Sequence, residues 1–488
     1  MKKSDSNQHS LATHSTLGQA PRQHTPLSGS VIEAFSAIVG REAILTDPGD
    51  CWSYGYDNSR RHALPQAVLF AVSHGQVRDI VQLCNREQIP LIPRGTGTGT
   101  TGATVPDRGG IVLSLERMDR IIEIDTANRI ARVEPGVCNG TLQKALAAQG
   151  FFWPPDPTSA AICTIGGNLA YNSAGPRAVK YGTPRENTLG LRAVTGAGDE
   201  IRTGVNTTKG VVGYDLTRLL IGSEGTLAII TEAVLKLTPL AEAKLTLQAL
   251  YRDMHAAAHA VSAIMAQPVT PCALEFMDGT AINMVRDYSD LELPTEAGAL
   301  LMIEVDGPRH NLEQAAAAVK AAAEVEGTLT VDIAETEEEV AKLWRTRKAL
   351  SPSLRNVAPK KINEDVVVPV SRIPDLISGL EKLSMETGIQ IVNFGHAGNG
   401  NIHVNLLTDP DDSEKMARAH HCLDAMFNLV LELGGTLSGE HGVGLEKRDY
   451  IGREIDPITL TLMNRIRRQF DPKGILNPGK ALPPDHDL

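Results

Sequence analysis

The chain has 488 residues, too many for one ordinary hydrophobic core, so two or three domains are expected. Apolar residues make up 42% and charged residues 22%, a mixture that argues against wholesale disorder. The formal net charge of −11 speaks against non-specific binding of nucleic acid or anionic membrane, although a few local arginines can still build a pocket for a small acid.

The first thirty residues are rich in Ser, His, Gln and Thr and lack the apolar run of a secretory signal. They read as a disordered tail, residues 1–30, on a cytoplasmic protein. No apolar run reaches the ~20 residues of a membrane helix, while peripheral membrane association stays open. The six cysteines are scattered without a C-x-x-C pair, so they read as reduced structural thiols, and no iron–sulfur cluster is expected.

From Val31 to about Leu240, short strand-like runs alternate with glycine-rich turns and a few helices. Val68–Val72 reads as a strand, and Val77–Glu87 as a helix with Val77, Ile80, Val81 and Cys84 on one face. The stretch Pro93–Gly102 contains a formal G-x-G-x-x-G at Gly97–Gly102. A Rossmann loop must open a helix, whereas here an extended run with Pro106 follows. The loop is therefore either a nest of backbone N–H groups for an anion or an ordinary Gly/Thr turn. Ile111–Leu113, Ile122–Ile124 and Ile130–Val133 read as successive strands, and Thr141–Ala148 as a helix closed by Gly150. Small-residue stretches follow at Pro154–Thr158, Thr164–Asn168, Asn172–Gly175, Tyr181–Gly182 and Gly222–Leu227. Each is a tight turn, or a place where a planar cofactor approaches the backbone.

After Pro239 the segments lengthen. Alanine-rich helices such as Leu312–Val325 and extended runs such as Ala299–Val305 and Asp365–Val370 predict antiparallel strands covered by helices. Trp344–Lys348 closes a helical stretch, and its Arg345, Arg347 and Lys348 form either a basic face or an anion clamp. Phe394–Asn405 places His396 and His403 about a Gly/Asn turn between two strands, and Ser438–Gly442 adds Glu440 and His441. Two histidines and a carboxylate suit Zn²⁺, Mn²⁺ or Fe²⁺ with a position left open, or else a purely hydrogen-bonded polar cluster. The last forty residues return to short turns. The expected organisation is a first domain at 31–240, a second at 241–440, and a segment at 441–488 that packs back on the first.

In this order and spacing, these stretches resemble the FAD-binding oxidoreductases of the vanillyl-alcohol oxidase / p-cresol methylhydroxylase superfamily. Within it the chain is similar to the branch of the glycolate oxidase flavin subunit, D-lactate dehydrogenases and D-2-hydroxyglutarate dehydrogenases. The resemblance covers roughly Val31–Lys480. It implies an α+β fold, with an N-terminal FAD-binding domain, an α+β cap domain with an antiparallel sheet, and a C-terminal return to the FAD domain. It places Pro93, Arg94, Gly95, Thr96, Gly97 and Thr98 at the FAD pyrophosphate. Pro155, Asp156, Thr164, Gly167, Asn168, Ser173 and Gly175 would surround the flavin, and Glu224, Gly225, Thr226 and Asn477 complete the site. Some relatives attach FAD covalently through a histidine in the glycine loop or a cysteine further along. This loop holds Thr98 and Thr100 but no histidine, so non-covalent FAD is expected.

By the same resemblance His396, His403 and Glu440 would hold a divalent metal, Zn²⁺ or Mn²⁺. Arg347 would clamp a substrate carboxylate, with Ser351 and Asn405 as further substrate contacts and His441 as general base. The implied activity is metal-assisted oxidation of a D-2-hydroxy acid (lactate, glycolate or 2-hydroxyglutarate type) to the 2-oxo acid, by hydride transfer to flavin N5. Where hydroxyglutarate enzymes carry a lysine, this chain has Asn363, with Lys361 two residues away on the same face if the segment is extended. Two alternatives remain: a flavin-dependent alcohol or sugar oxidase on the same scaffold, and a non-catalytic flavin subunit of an oxidase complex. The electron acceptor (quinone, cytochrome, electron-transfer flavoprotein or partner subunit) and a homodimeric state are left open.

Overall fold

The computed structural model describes residues 26–286 and 293–483; the expected tail lies outside them except for its last five residues. A helix already begins at Gly29, capped by the Ser28 hydroxyl on the Val31 amide, because Phe35 and Val39 on its inner face have a core to enter.

Two sheets organise the chain up to Lys236. The first runs in the order Ile44–Leu45, Ala67–Phe70, Ile111–Ser114, Leu91–Arg94, and its last three strands are parallel. Such strands are covered on both faces, which is why Ala67–Phe70 and Ile111–Ser114 are wholly buried apolar runs rather than alternating ones. Helix His74–Glu87 covers this sheet with Val77, Ile80, Val81 and Cys84. The second sheet is antiparallel, in the order Ile121–Asp125, Ile130–Val133, Ala228–Lys236, Thr188–Thr195, Glu200–Gly204. The glycine loop leaves the carboxyl end of Leu91–Arg94 and opens no helix.

The remaining large sheet is antiparallel and seven-stranded: Thr328–Ile333, Ala243–Tyr251, Ala299–Gly307, Ala273–Asp278, Gln390–His396, Asn401–Thr408, Lys360–Val367. Its two faces differ. Leu274, Phe276, Val366, Ile402, Val404 and Leu406 point into a core closed by helices Met254–Ala266, Leu312–Ala323, Ile373–Thr387 and Ser413–Glu432. The opposite face carries Met277, Val392, Phe394 and Leu407 under Leu343, Leu350 and Leu354 of helix Glu337–Val357. Each such leucine, fully buried, contributes roughly 1.5–3 kcal/mol.

Three expectations need correction. The helix holding Arg347 does not close at Lys348; a capping box at Thr336 and Glu339 starts it and its apolar face continues through Leu354, so it runs to Val357. The extended run expected at Asp365–Val370 is strand Lys360–Val367, since Pro369 and Val370 turn into the next helix. The last forty residues are not all turns. Asp456 caps a fourteen-residue helix, Pro457–Phe470, with Pro457 in its first turn, and Leu460 and Asn464 face inward. The residues beyond it pair with the edge of the parallel sheet, where the Leu91 amide donates to Ile475 O and Asn477 N to Leu91 O. All six cysteines are free thiols, and among the described residues no helix is long and apolar enough to cross a membrane.

Candidate active site

Strand register assembles the polar cluster. Glu275 stands directly opposite His396, and His403 stands opposite both Phe394 and Asp365. Alternation puts Phe394 and His396 on one face, so Glu275, His396, His403 and Asp365 share the face under helix Glu337–Val357. The His396 and His403 rings meet edge to face at 5.2 Å.

The Ser438–Gly442 bend closes over this face because Asp365 pulls it down. Asp365 Oδ2 accepts the amides of Gly439 (2.9 Å), Glu440 (2.6 Å) and His441 (2.8 Å), and Oδ1 accepts the Ser438 hydroxyl and the buried Lys447 ammonium. The bend delivers Glu440 Oε1 to 3.4 Å from His396 Nε2 and 3.8 Å from His403 Nε2. It also lays the His441 ring parallel to His403, with centroids 5.2 Å apart, and leaves His441 Nδ1 3.6 Å from Asp365 Oδ1.

Burial and neighbouring charges act on these groups in opposite senses. Burial alone would lower His396, but Glu275 and Glu440 outweigh it and raise the imidazole to about 10. Burial would raise Glu440, yet the hydrogen bond and charge of His396 hold its carboxyl well below the usual range. Burial, with the neighbouring His441 and His396, pushes His403 well below its ordinary value, so its ring is neutral. One ligand atom from each of His396, His403 and Glu440 lies within 4.8 Å of the others, and His403 Nδ1 is buried without a hydrogen-bond partner. This donor set fits a divalent metal, which would take over the position the His396 proton now holds.

Beside the cluster, Glu275 links His396 to Arg347: Oε1 is 2.6 Å from His396 Nδ1, and Oε2 accepts Arg347 Nε–H at 2.7 Å. The Arg347 guanidinium also lies over the Phe394 ring, 5.0 Å from its centroid. Glu275 had no motif to announce it; its one signal was an acid set among apolar residues in the strand Ala273–Asp278. Lys361 occupies strand Lys360–Val367 on the face of Asn363 and Asp365. Ser351 lies in the Arg347 helix with its side chain outside the described residues. Asn405 sits between the strands. It is fully buried and both its N–H groups are taken, by Val392 O and His403 O, while Asn363 donates to its oxygen, so it fastens neighbouring strands.

A second cleft adjoins this one, lined by Pro93, Arg94, Gly95, Thr164, Gly166, Gly167, Tyr171, Glu224, Gly225 and Asn477, among others. The Tyr171 hydroxyl is buried there without a hydrogen bond of standard geometry, Thr101 being its polar neighbour. Gly225 has φ 68°, and a Cβ on it would stand 2.6 Å from Pro93 Cγ, so only glycine leaves this wall intact. An extended, many-contact cofactor such as FAD fits this narrow backbone-lined cleft with an orphaned phenol.

The glycine loop lies at one end of the cleft wall. Thr96, Gly97 and Thr98 lie off the cleft lining; Thr96 Oγ1 donates to Ile162 O, and Thr98 O accepts from Asn58. The Arg94 guanidinium turns into the loop, donating to Tyr56 O, Ser53 O and Thr104 Oγ1, because a buried arginine needs several acceptors at once. Arg94 therefore shapes the loop while forming part of the cleft wall.

The remaining expected residues divide between the two clefts. Thr164 caps helix Ile165–Tyr171 at Gly167 N, and Asn168 is locked between Asn139 and Cys163. The Asn139 amide also holds Pro155 O, and the Ser173 amide donates to Asn168 O. Thr226 Oγ1 donates to Ser223 O. Asp156 pairs with Arg177 at 3.1 Å; burial raises its carboxyl to about 7 against the opposing pull of Arg177 and His396. Gly175 N donates to Glu440 Oε2 at 2.9 Å. The Glu224 carboxylate accepts the Val443 and Gly444 amides at 2.6 and 2.8 Å, and its carbonyl accepts Asn477 Nδ2–H. The cofactor-side elements and the Ser438–Gly444 bend are thus one connected structure.

Comparison with known proteins agrees with this architecture. Residues 65–204 match the FAD binding domain family, and residues 240–481 match the family described as FAD linked oxidases, C-terminal domain. The chain is 40% identical to glycolate oxidase subunit GlcD of Bacillus subtilis, over 88% of this chain and 92% of that one. It is 32% identical to D-lactate dehydrogenase of Anaerostipes hadrus (94% and 98% covered) and 32% identical to D-2-hydroxyglutarate dehydrogenase of Stutzerimonas stutzeri (92% and 98%). In fold it superposes on p-cresol methylhydroxylase with a TM-score of 0.75 at 18% identity, covering 93% of this chain and 96% of that one. The chain belongs to the FAD-linked oxidases of the p-cresol methylhydroxylase fold, a flavoprotein oxidoreductase in the branch of glycolate oxidase GlcD, D-lactate dehydrogenase and D-2-hydroxyglutarate dehydrogenase.

Proposed function

We propose that the protein oxidises a small D-2-hydroxy acid to the 2-oxo acid, with non-covalent FAD in the cleft beside Tyr171 and a divalent cation on His396, His403 and Glu440. The observation that carries this reading is the convergence of His396, His403 and Glu440, the His441 ring stacked on His403, and the buried Arg347 beside that cleft. When bound, FAD supplies the acceptor for the Cα–H electron pair and the cation polarises the substrate hydroxyl.

The chain's own groups do the rest. His441 takes the hydroxyl proton on Nε2, while its Nδ1 faces Asp365 at 3.6 Å. Arg347 neutralises the substrate carboxylate, its guanidinium plane set by Glu275 and Phe394. With no iron–sulfur cysteines in the chain, electrons leave to another molecule, and the Bacillus relative's description as a subunit makes a partner protein the acceptor we favour.

The test is anaerobic mixing of the purified yellow protein with D-lactate, glycolate and D-2-hydroxyglutarate, before and after dialysis against a chelator. Bleaching of the flavin band by one of these acids, lost on dialysis and restored by Zn²⁺ or Mn²⁺, is the expected result. Bleaching only by sugars or simple alcohols would overturn the substrate class. Indifference to the chelator would remove the cation.

A further inference from the structure

Among the described residues, Glu275 is the buried carboxylate that touches both halves of the proposed site. It is 1% exposed, sits in register opposite His396, and divides its oxygens between His396 Nδ1 at 2.6 Å and Arg347 Nε at 2.7 Å. We propose that Glu275 is a positioning residue that makes the cation site and the substrate-carboxylate site a single mechanical unit. This inference rests on the metal and substrate reading given above.

The reasoning has two parts. First, an imidazole offers a bare nitrogen to a metal only if its other nitrogen keeps the proton. Glu275 Oε1, by accepting Nδ1–H, fixes that tautomer and turns Nε2 toward Glu440 and His403. Second, the Arg347 side chain is long and would sample many rotamers. Oε2 on Nε and the Phe394 ring beneath the guanidinium leave it one plane. Because a single carboxylate makes both contacts, it cannot rotate to follow one partner without releasing the other. The distance between cation and guanidinium is thereby fixed, and with it the length of substrate head group that spans them. Asp at this position, one methylene shorter, would reach only one of the two.

The experiment measures Zn²⁺ affinity of the purified flavin-loaded protein by competition with a chromophoric chelator, a readout independent of turnover. Glu275→Gln should weaken Zn²⁺ by about 10–100-fold with flavin content unchanged. Arg347→Met, which touches no metal ligand, should also weaken Zn²⁺ several-fold, because Glu275 then loses its second anchor. Should Glu275→Gln fold poorly with Arg347 left unpaired, the double variant Glu275→Met/Arg347→Met removes both charges at similar volume and should show the same loss. His403→Ala is the control. If it abolishes Zn²⁺ binding while Glu275→Gln and the double variant match the wild type, the Glu275 proposal is wrong and the metal reading stands. If the wild type itself takes up no Zn²⁺, both fall together.

Discussion

His441 has the attributes of a base without those of a ligand. Its ring stacks on His403, its Nδ1 faces Asp365, and its carbonyl accepts the Thr101 hydroxyl, so backbone and ring are both fixed while Nε2 is left over. His441→Ala should lower the rate of flavin reduction by about 10²–10⁴-fold, measured by stopped-flow absorbance, with the bound flavin content unaltered. Residues of this kind were legible in the sequence, since histidines and a glutamate bunched in glycine-rich bends are costly types to place without purpose. Side-chain direction was not legible. The carbonyls of Ser53 and Tyr56 draw the Arg94 guanidinium into the loop. Asn405 belongs to the same motif as His403, yet its amide is spent on strand partners. Which acceptor a donor finds depends on segments far away in the chain, and no local pattern encodes that.

The bend Ser438–Gly442 illustrates what an element needs in order to exist. It has no regular secondary structure, and three of its amides end on one carboxylate, Asp365 Oδ2. Asp365 also neutralises Lys447, which is 2% exposed. Asp365→Ala should therefore destabilise the protein, because it frees the bend and removes a carboxylate from the buried Lys447 ammonium, which keeps Glu364 at 3.2 Å, and a drop in thermal midpoint of the purified protein would measure it. Elements themselves were readable where the pattern was strong. Alternating Ile130–Val133 and the helix face Val77, Ile80, Val81 and Cys84 stand where the periodicity put them. Pro457–Phe470 escaped because its opening Asp-Pro pair signals a turn and a helix start equally well, and its partly polar inner face gave a weak period.

At the scale of the molecule, the seam between the cofactor cleft and the polar cluster is stitched by pairs more than two hundred residues apart. Glu224 holds the Val443 and Gly444 amides, and Thr101 holds Leu445. Order and spacing of motifs announced both clefts through family likeness, but not their adjacency, because contacts over such separations leave no periodic trace. One of these stitches reaches further. The amide of Gly175, in a stretch expected to border the flavin, donates to Glu440 Oε2, while Glu440 Oε1 faces the two imidazoles. Whatever settles the Gly175 backbone also settles an oxygen of the triad, so occupancy on either side reports on the other. Linkage then requires reciprocity: FAD should tighten Zn²⁺, and Zn²⁺ should tighten FAD, by one common factor. Calorimetric titrations of flavin-stripped and flavin-loaded protein would read that factor from both directions, and two independent isotherms would show that the stitch carries no information.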